Sequence, residues 1–361
     1  MSSANFKIQP NPDFSRLEKV LLRQGNPDRV PFYELFSNIE SQVLAVLGIS
    51  PEFEHSGSDP ESAELQRHIT YMYSLGYDYV NVSARNFGFP QKARPTARTA
   101  EGERGYLKAN THTIANRNDY ESYPWPRMDE IDYTPFERIA KILPEGMKAI
   151  ALSPGGVLEN VMWLLGYEGI SYLFRDDPQF VREMFEAVAS RLVAYFDAAA
   201  SFDVVGALVL GDDMGFKTQT MLSPEDYREY VFPWHRRLVQ TVHSHGKPAI
   251  LHACGNLSEV MDDIIACGWD AKHSFEDDVM PVWQAREKYG DRIALLGGFD
   301  MDKMSRMSEE DVRRHTRYMI RTCAPGGGWA LGTGNSVADY IPVKNFLAML
   351  EEGFWAGKYG L

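Results

Sequence analysis

The segment Leu251-His252-Ala253-Cys254-Gly255 carries the most specific local signal in the chain. In an extended segment residues i and i+2 point to the same side, so an imidazole and a thiol two positions apart converge on one point. Glu276 closes the next apolar run, in HSFEDD. Adjacent parallel strands lie about 4.8 Å apart, which brings that carboxylate within reach of the same point. Imidazole nitrogen, thiolate sulfur and carboxylate oxygen are ligand types that zinc accepts, and three protein ligands with one open position is the form of a catalytic zinc. His252, Cys254 and Glu276 are therefore the expected metal ligands. The competing reading of a lone His-x-Cys pair is a buried cysteine that only packs. Cys267 and Cys323, the other two cysteines, read as structural, and three cysteines do not build a disulfide framework.

A second signal is GDDMGFK, Gly211 to Lys217, directly after the most apolar run of the chain. Asp212 and Asp213 are the expected catalytic acids: a carboxylate there accepts a proton, orients a substrate or supports a metal ligand. The alternative is an acid pair at a helix start in solvent. Other polar residues ending apolar runs are Glu34, Asn81, Ser153, Asp300 and Asn335; of these Glu34, Asn81 and Asn335 are expected to bind substrate.

These residues share one place in the pattern, the carboxyl ends of short apolar runs. Eight such runs occur: 30–34, 78–83, 148–153, 203–211, 248–253, 269–275, 292–298 and 328–333. They are rich in Val, Ile, Leu and Ala with little strict alternation, as strands buried on both faces require. Helical stretches separate them. Ser223, Pro224 and Asp226 open one with a capping pattern, and Tyr227, Val231, Trp234, Leu238 and Val242 mark its expected buried face. Ser308 and Asp311 open another. Eight strands alternating with helices imply a (β/α)8 TIM barrel, with an open doubly wound sheet as the alternative. In a barrel the active site lies at the carboxyl ends of the strands. The expected organisation is a tail and helix over 1–25 and one barrel domain over 26–361, enlarged by an excursion at about 86–127. Within the excursion Lys92, Arg94, Arg98 and Arg104 form a basic cluster, suited to an anionic ligand or simply a solvated loop.

With 361 residues, 44% of them hydrophobic, the chain has ample material for a large core. Its 37 Lys+Arg against 50 Asp+Glu give a net charge of −13, which argues against nucleic-acid binding, because neutralising phosphates needs clustered cations. No uncharged apolar run is long enough to span a bilayer, and the opening residues lack an apolar signal core, so a cytoplasmic location without membrane attachment is expected.

Taken in order, NPDRVPF, GDDMGFK, LSPEDYREYVFPWHRRL, HGKPAILHACGNL, CGWDAKHSFED, YGDRIALLGGFD and APGGGWALGTGNSVADYIPVKNFLAML resemble the uroporphyrinogen decarboxylase family over nearly the whole chain from Asn26 onward. The resemblance implies a (β/α)8 barrel of the kind shared with cobalamin-independent methionine synthases. The family holds two chemistries. Its porphyrinogen decarboxylases carry an arginine-rich segment after the first strand; here the matching stretch, Tyr33 to Glu40, has no arginine and two acids. Its other branch comprises zinc methyltransferases that work with corrinoid proteins. Their His-x-Cys motif falls on His252 and Cys254, and the carboxylate ligand of the methionine synthases falls on Glu276. Their last cysteine, expected within Gly332 to Asn335, has no counterpart, which leaves open an altered zinc site or none.

The resemblance thus implies transfer of a methyl group between a small methylated substrate, a methoxylated aromatic or a methylamine, and the cobalt of a corrinoid (cobalamin) carried by a partner protein, with Zn as Lewis acid. One alternative is a metal-free decarboxylase using Asp212 or Asp213, with Arg94 and Arg98 holding substrate carboxylates. Another is a non-catalytic corrinoid or tetrapyrrole carrier.

Overall fold

The computed structural model describes residues 6–49, 60–92, 96–99, 102–105 and 112–359. Its strands are β1 (Tyr79–Val82), β2 (Thr96–Thr99), β3 (Gly102–Gly105), β4 (Lys148–Leu152), β5 (Val205–Gly211), β6 (Ala249–His252), β7 (Ala271–His273), β8 (Ala294–Leu296) and β9 (Trp329–Ala330). Seven of them form one sheet, in the order β1-β4-β5-β6-β7-β8-β9, and every pair is parallel. β4 to β8 are almost wholly buried, which explains why their sequences run apolar without alternation.

The eighth run, 30–34, closes the barrel in an unequal way. On one flank it pairs with the last strand through backbone: Phe32 bridges Leu331 in parallel, and Tyr33 N donates to Leu331 O at 2.8 Å. On the other flank side chains of β1 take the place of a ladder. The Tyr79 hydroxyl accepts from Glu34 N and donates to Glu34 O, both at 2.7 Å, and Asn81 Nδ2 donates to Leu35 O at 2.7 Å. The curled sheet with its surrounding helices is a (β/α)8 barrel with one seam closed by side chains.

Helix starts follow the sequence signals. Asp13 accepts from Ser15 N ahead of the helix Phe14–Leu21, Ser223 from Asp226 N, and Ser308 from Asp311 N. The expected buried face of the 224–244 segment holds at Tyr227, Val231, Leu238 and Val242, with a turn of π-helix over Tyr227–Val231. Phe232 and His235 are buried beside them in Phe232–Ser244, while Trp234 is only partly buried. In the excursion β2 and β3 pair as an antiparallel ribbon, with Thr96 opposite Gly105. Of the basic cluster, Lys92 is exposed; Arg94 and the side chains of Arg98 and Arg104 lie outside the described residues.

The helix Phe14–Leu21 plugs the amino-terminal end of the barrel. It buries Phe14, Leu17, Val20 and Leu21, with the Phe14 ring against Gly206 near the start of β5. A buried ion cluster fixes it there. Arg16 reaches Asp78 at 2.6 Å and also pairs with Asp28, while Arg29 reaches Asp78 at 3.1 Å. Removing one partner strands a buried charge, which typically costs about 3–5 kcal/mol. Asp78→Ala is expected to lose stability on that scale, read as a fall in the urea midpoint, because it leaves two buried guanidinium groups without their shared anion.

Candidate metal centre and active site

Register brings the chemistry to one row. Gly211 on β5 lies opposite His252 on β6, and His252 lies opposite His273 on β7. The residues just beyond, Asp212 with Asp213, Cys254, and Ser274 to Glu276, therefore gather at the carboxyl-terminal mouth.

Asp213, His252 and Cys254 form the tight cluster: one donor atom from each lies within 4.8 Å of the others. His252 Nε2 is 3.5 Å from Cys254 Sγ and 3.8 Å from Asp213 Oδ1. A zinc tetrahedron with bonds of about 2.0–2.3 Å has edges of roughly 3.3–3.6 Å, so the spacing and the donor types both suit that ion. Asp213 Oδ1 also accepts from Cys254 N at 3.0 Å. Gly255 comes next with φ +84°, and a Cβ there would lie 2.1 Å from Gly215 O, so the turn that aims the thiol needs glycine.

Two expected site residues take other places. Glu276 lies outside the trio; its Oε1 accepts from Asn335 Nδ2 at 2.8 Å. Asp212 does not face the mouth. Neighbours in an extended segment point to opposite sides, so only one of the Asp212-Asp213 pair can do so. The Asp212 carboxylate is fully buried, accepting from Leu158 N at 3.2 Å, Glu159 N at 2.8 Å and His235 Nε2 at 2.8 Å. It caps the helix Val157–Leu165, where a carboxylate is favoured by the exposed N–H groups. Asp300 has a capping role as well, accepting from Lys303 N at 2.9 Å.

Asn335 ends the stretch, Gly332 to Asn335, in which the resemblance placed a last cysteine. Its Nδ2 donates to Cys254 Sγ at 3.3 Å as well as to Glu276, and its Oδ1 accepts from Ser336 N at 2.8 Å. The buried Lys272 ammonium donates to Ala253 O at 3.1 Å and Ser274 O at 2.8 Å, tying the segment before Cys254 to that after β7. Burial pushes this lysine down to about 8 and His252 down to about 3. The Cys254 thiol is pushed up, by burial first and then by Asp213. A divalent cation among the three donors would reverse that last effect, since a coordinated thiol ionises. Cys267 and Cys323 are buried elsewhere, with thiols pushed up to about 12.

The trio borders a cavity of ≈ 380 Å³ whose wall includes Leu35, Phe36, Leu152, Trp163 and Val209. Ser153 and Asn335 also belong to it, and among the described residues the buried Ser153 Oγ has no hydrogen-bond partner. A second cavity of ≈ 270 Å³, sharing Leu35, Phe36 and Leu152 with the first, runs along the seam past Glu34 and Asn81. Buried Glu34 accepts from Thr333 N at 2.8 Å and contacts the Thr333 hydroxyl, which in turn reaches Asn335 O. Burial raises Glu34 to about 8. Protonated, it completes a chain from its own O–H through the threonine hydroxyl to the Asn335 carbonyl.

Residues 137–353, more than half of the chain, match the uroporphyrinogen decarboxylase (URO-D) family. The chain belongs to the URO-D family. Among curated proteins it is 31% identical over 186 residues to a methylated-thiol–coenzyme M methyltransferase of Methanosarcina mazei, covering 51% of this chain and 47% of that protein. It is 25% identical over 198 residues to a uroporphyrinogen decarboxylase of Thioalkalivibrio sulfidiphilus, covering 52% of each. The chain thus spans about half the length of the curated relatives it matches. A solved methyltransferase from Methanosarcina mazei superposes with a TM-score of 0.70 at 15% identity, covering 94% of this chain and 98% of that one, a likeness of fold.

Sequence reasoning passed over His273 and His235. His273 stands one strand from His252 in the same register row and was legible as an inward position of its own run. His235 shares the buried face of Val231, Leu238 and Val242, where its polar type alone set it apart.

The Glu34 carboxyl takes up a proton on folding, since its value rises from 4.5 to about 8. Its contribution to stability is therefore full below about pH 4.5 and is lost as pH rises through about 8. Glu34→Gln keeps the neutral hydrogen-bonding shape and removes the titration. Urea unfolding at pH 5 and pH 9 should show the variant gaining on the wild type at the higher pH, on the order of 1–4 kcal/mol.

Proposed function

We propose that this URO-D family chain is a methyltransferase that moves a methyl group between a small methylated substrate and the cobalt of a separate corrinoid protein. The observation that carries the reading is the Asp213, His252, Cys254 trio, with donor spacings of 3.5 and 3.8 Å, on the wall of an open cavity. These three residues would hold zinc, with Asp213 in the place first expected of Glu276. When bound, zinc supplies Lewis-acid activation of the substrate heteroatom.

The chain's own groups account for the rest. Leu35, Phe36, Leu152 and Trp163 offer an apolar wall suited to a small substrate, of the methoxylated-aromatic, methylamine or methylated-thiol class. The last class is the one named for the Methanosarcina relative. Asn335 donates to the Cys254 sulfur and steadies its ionised form. Glu34 and Asn81, along the adjoining cavity, are the polar groups offered to the far end of the substrate. Asp212 acts behind Asp213, fixing the turn after β5 against the helix Val157–Leu165.

The decarboxylase reading is less well supported, because among the described residues neither cavity is lined by arginine or lysine, the groups that would hold a polycarboxylate.

Metal analysis of chain purified without chelator, with methylcobalamin demethylation followed by its absorbance, tests the proposal. About one zinc per chain is expected. Cys254→Ser and Asp213→Ala should each lose the metal and lower turnover by about 10²-fold or more, beyond the 10–100-fold typical of groups that merely support ligands. Full activity in both variants, or a metal-free wild type with unimpaired turnover, would refute it. Corrinoid binding without turnover would point to a carrier.

A further inference from the structure

His273 is fully buried and does not line the cavity beside the trio, yet both of its ring nitrogens meet specific partners. Nε2 lies 3.1 Å from Thr333 O, and Nδ1 lies 2.8 Å from His252 Nδ1. A carbonyl oxygen only accepts, so His273 Nε2 must carry hydrogen. Among the described residues no carboxylate hydrogen-bonds this ring, and an isolated buried imidazolium is costly, so it holds a single proton. Its Nδ1 is then a lone pair. The 2.8 Å contact requires His252 Nδ1 to be the donor. In a neutral His252 the remaining lone pair sits on Nε2, the nitrogen that faces Cys254 Sγ at 3.5 Å and Asp213 Oδ1 at 3.8 Å.

We propose that His273 is a positioning residue: anchored on the Thr333 carbonyl, it locks His252 in the Nδ1–H tautomer and so presents the Nε2 lone pair to a divalent metal held with Asp213 and Cys254. The opposite arrangement would set two acceptors against each other at the Thr333 contact. The surroundings hold the ring in this pose. Tyr33 packs edge-on at 5.3 Å between centroids. Gly297, at φ +75°, leaves room for the carbonyl contact, since a Cβ there would lie 2.1 Å from Thr333 O and 3.0 Å from His273 Nε2. Ligating histidines commonly give their second N–H to a carboxylate, a carbonyl or water. Here a second imidazole takes that part and passes the orientation on from a backbone carbonyl of the last strand.

The inference rests on the metal reading above, and its test separates the two. Side-chain nitrogen NMR of the metal-free full chain labelled at histidine reads the tautomers directly. The expected pattern is Nδ1–H for His252 and Nε2–H for His273; protonation of His252 at Nε2 would overturn the proposal. Co²⁺ binding, monitored by its visible absorption, reads the consequence. His273→Phe, which offers no acceptor, should weaken Co²⁺ binding by about 10–100-fold. His273→Asn, whose amide oxygen can accept from Nδ1, should recover most of the affinity, which loss of packing alone would not explain. Unchanged affinity in a folded His273→Phe, or equal losses in both variants, would overturn it. Should the phenylalanine variant not fold, the asparagine variant and the wild-type spectra decide. A wild type that binds no Co²⁺ removes the metal reading, and the spectra still judge the tautomer lock by themselves.

Discussion

The backbone ladder from β5 through β6 to β7 is the constraint on which the site depends. Parallel pairing sets Gly211, His252 and His273 side by side, so the residues after each strand leave the sheet at one level. Alternation along the chain then selects which side chains face inward. It sends Asp213 to the cavity and Asp212 to the core, and it keeps His252 and Cys254 on one side. The last strand enters the same arrangement through Thr333, whose carbonyl meets His273 and whose N–H meets Glu34. A slip of register in any of these pairings would separate groups that work only at contact distance.

The seam between 30–34 and β1 is the counterpart of that rigidity. A hydroxyl and an amide take over from ladder hydrogen bonds there, and the smaller cavity lies against this part of the barrel wall. Tyr79 satisfies both backbone groups of Glu34, so the main chain holds its place while the side chain points to Thr333. Buried polar groups need partners, and at this seam side chains supply them to the backbone.

Much of this was legible in the residues, for reasons that also mark where legibility stopped. Apolar runs without alternation could only be strands buried on both faces, and the polar residues closing them had to collect at one end. Ser223 and Ser308 announced their helices by chemistry that acts within one turn. The His-x-Cys pair rested on an i, i+2 relation. Relations across the barrel interior were another matter. Whether Asp213 or Glu276 approaches the thiol depends on how each chain turns after its strand, and the strand spacing alone does not contain that turn. The same spacing that nominated Glu276 could have nominated Asp213 from the other neighbour of β6. His235, four residues after Val231 and three before Leu238, lies on the face that the apolar spacing marks, and only its polar side chain kept it from counting as an inward position.

Asn335 shapes the chemistry of the site by its amide. A cysteine there would add a second thiolate to the donor set. The amide adds none, and its N–H groups instead draw charge from the sulfur of Cys254 and from Glu276. The trio then has one soft donor, one imidazole and one hard carboxylate, against a buried lysine only a strand away. A hard carboxylate passes less electron density to a metal than a second soft thiolate does, so a cation held by that set polarises a bound heteroatom more strongly. On the proposed reading this favours loosening a methyl group from oxygen, nitrogen or sulfur over sharpening a thiol nucleophile.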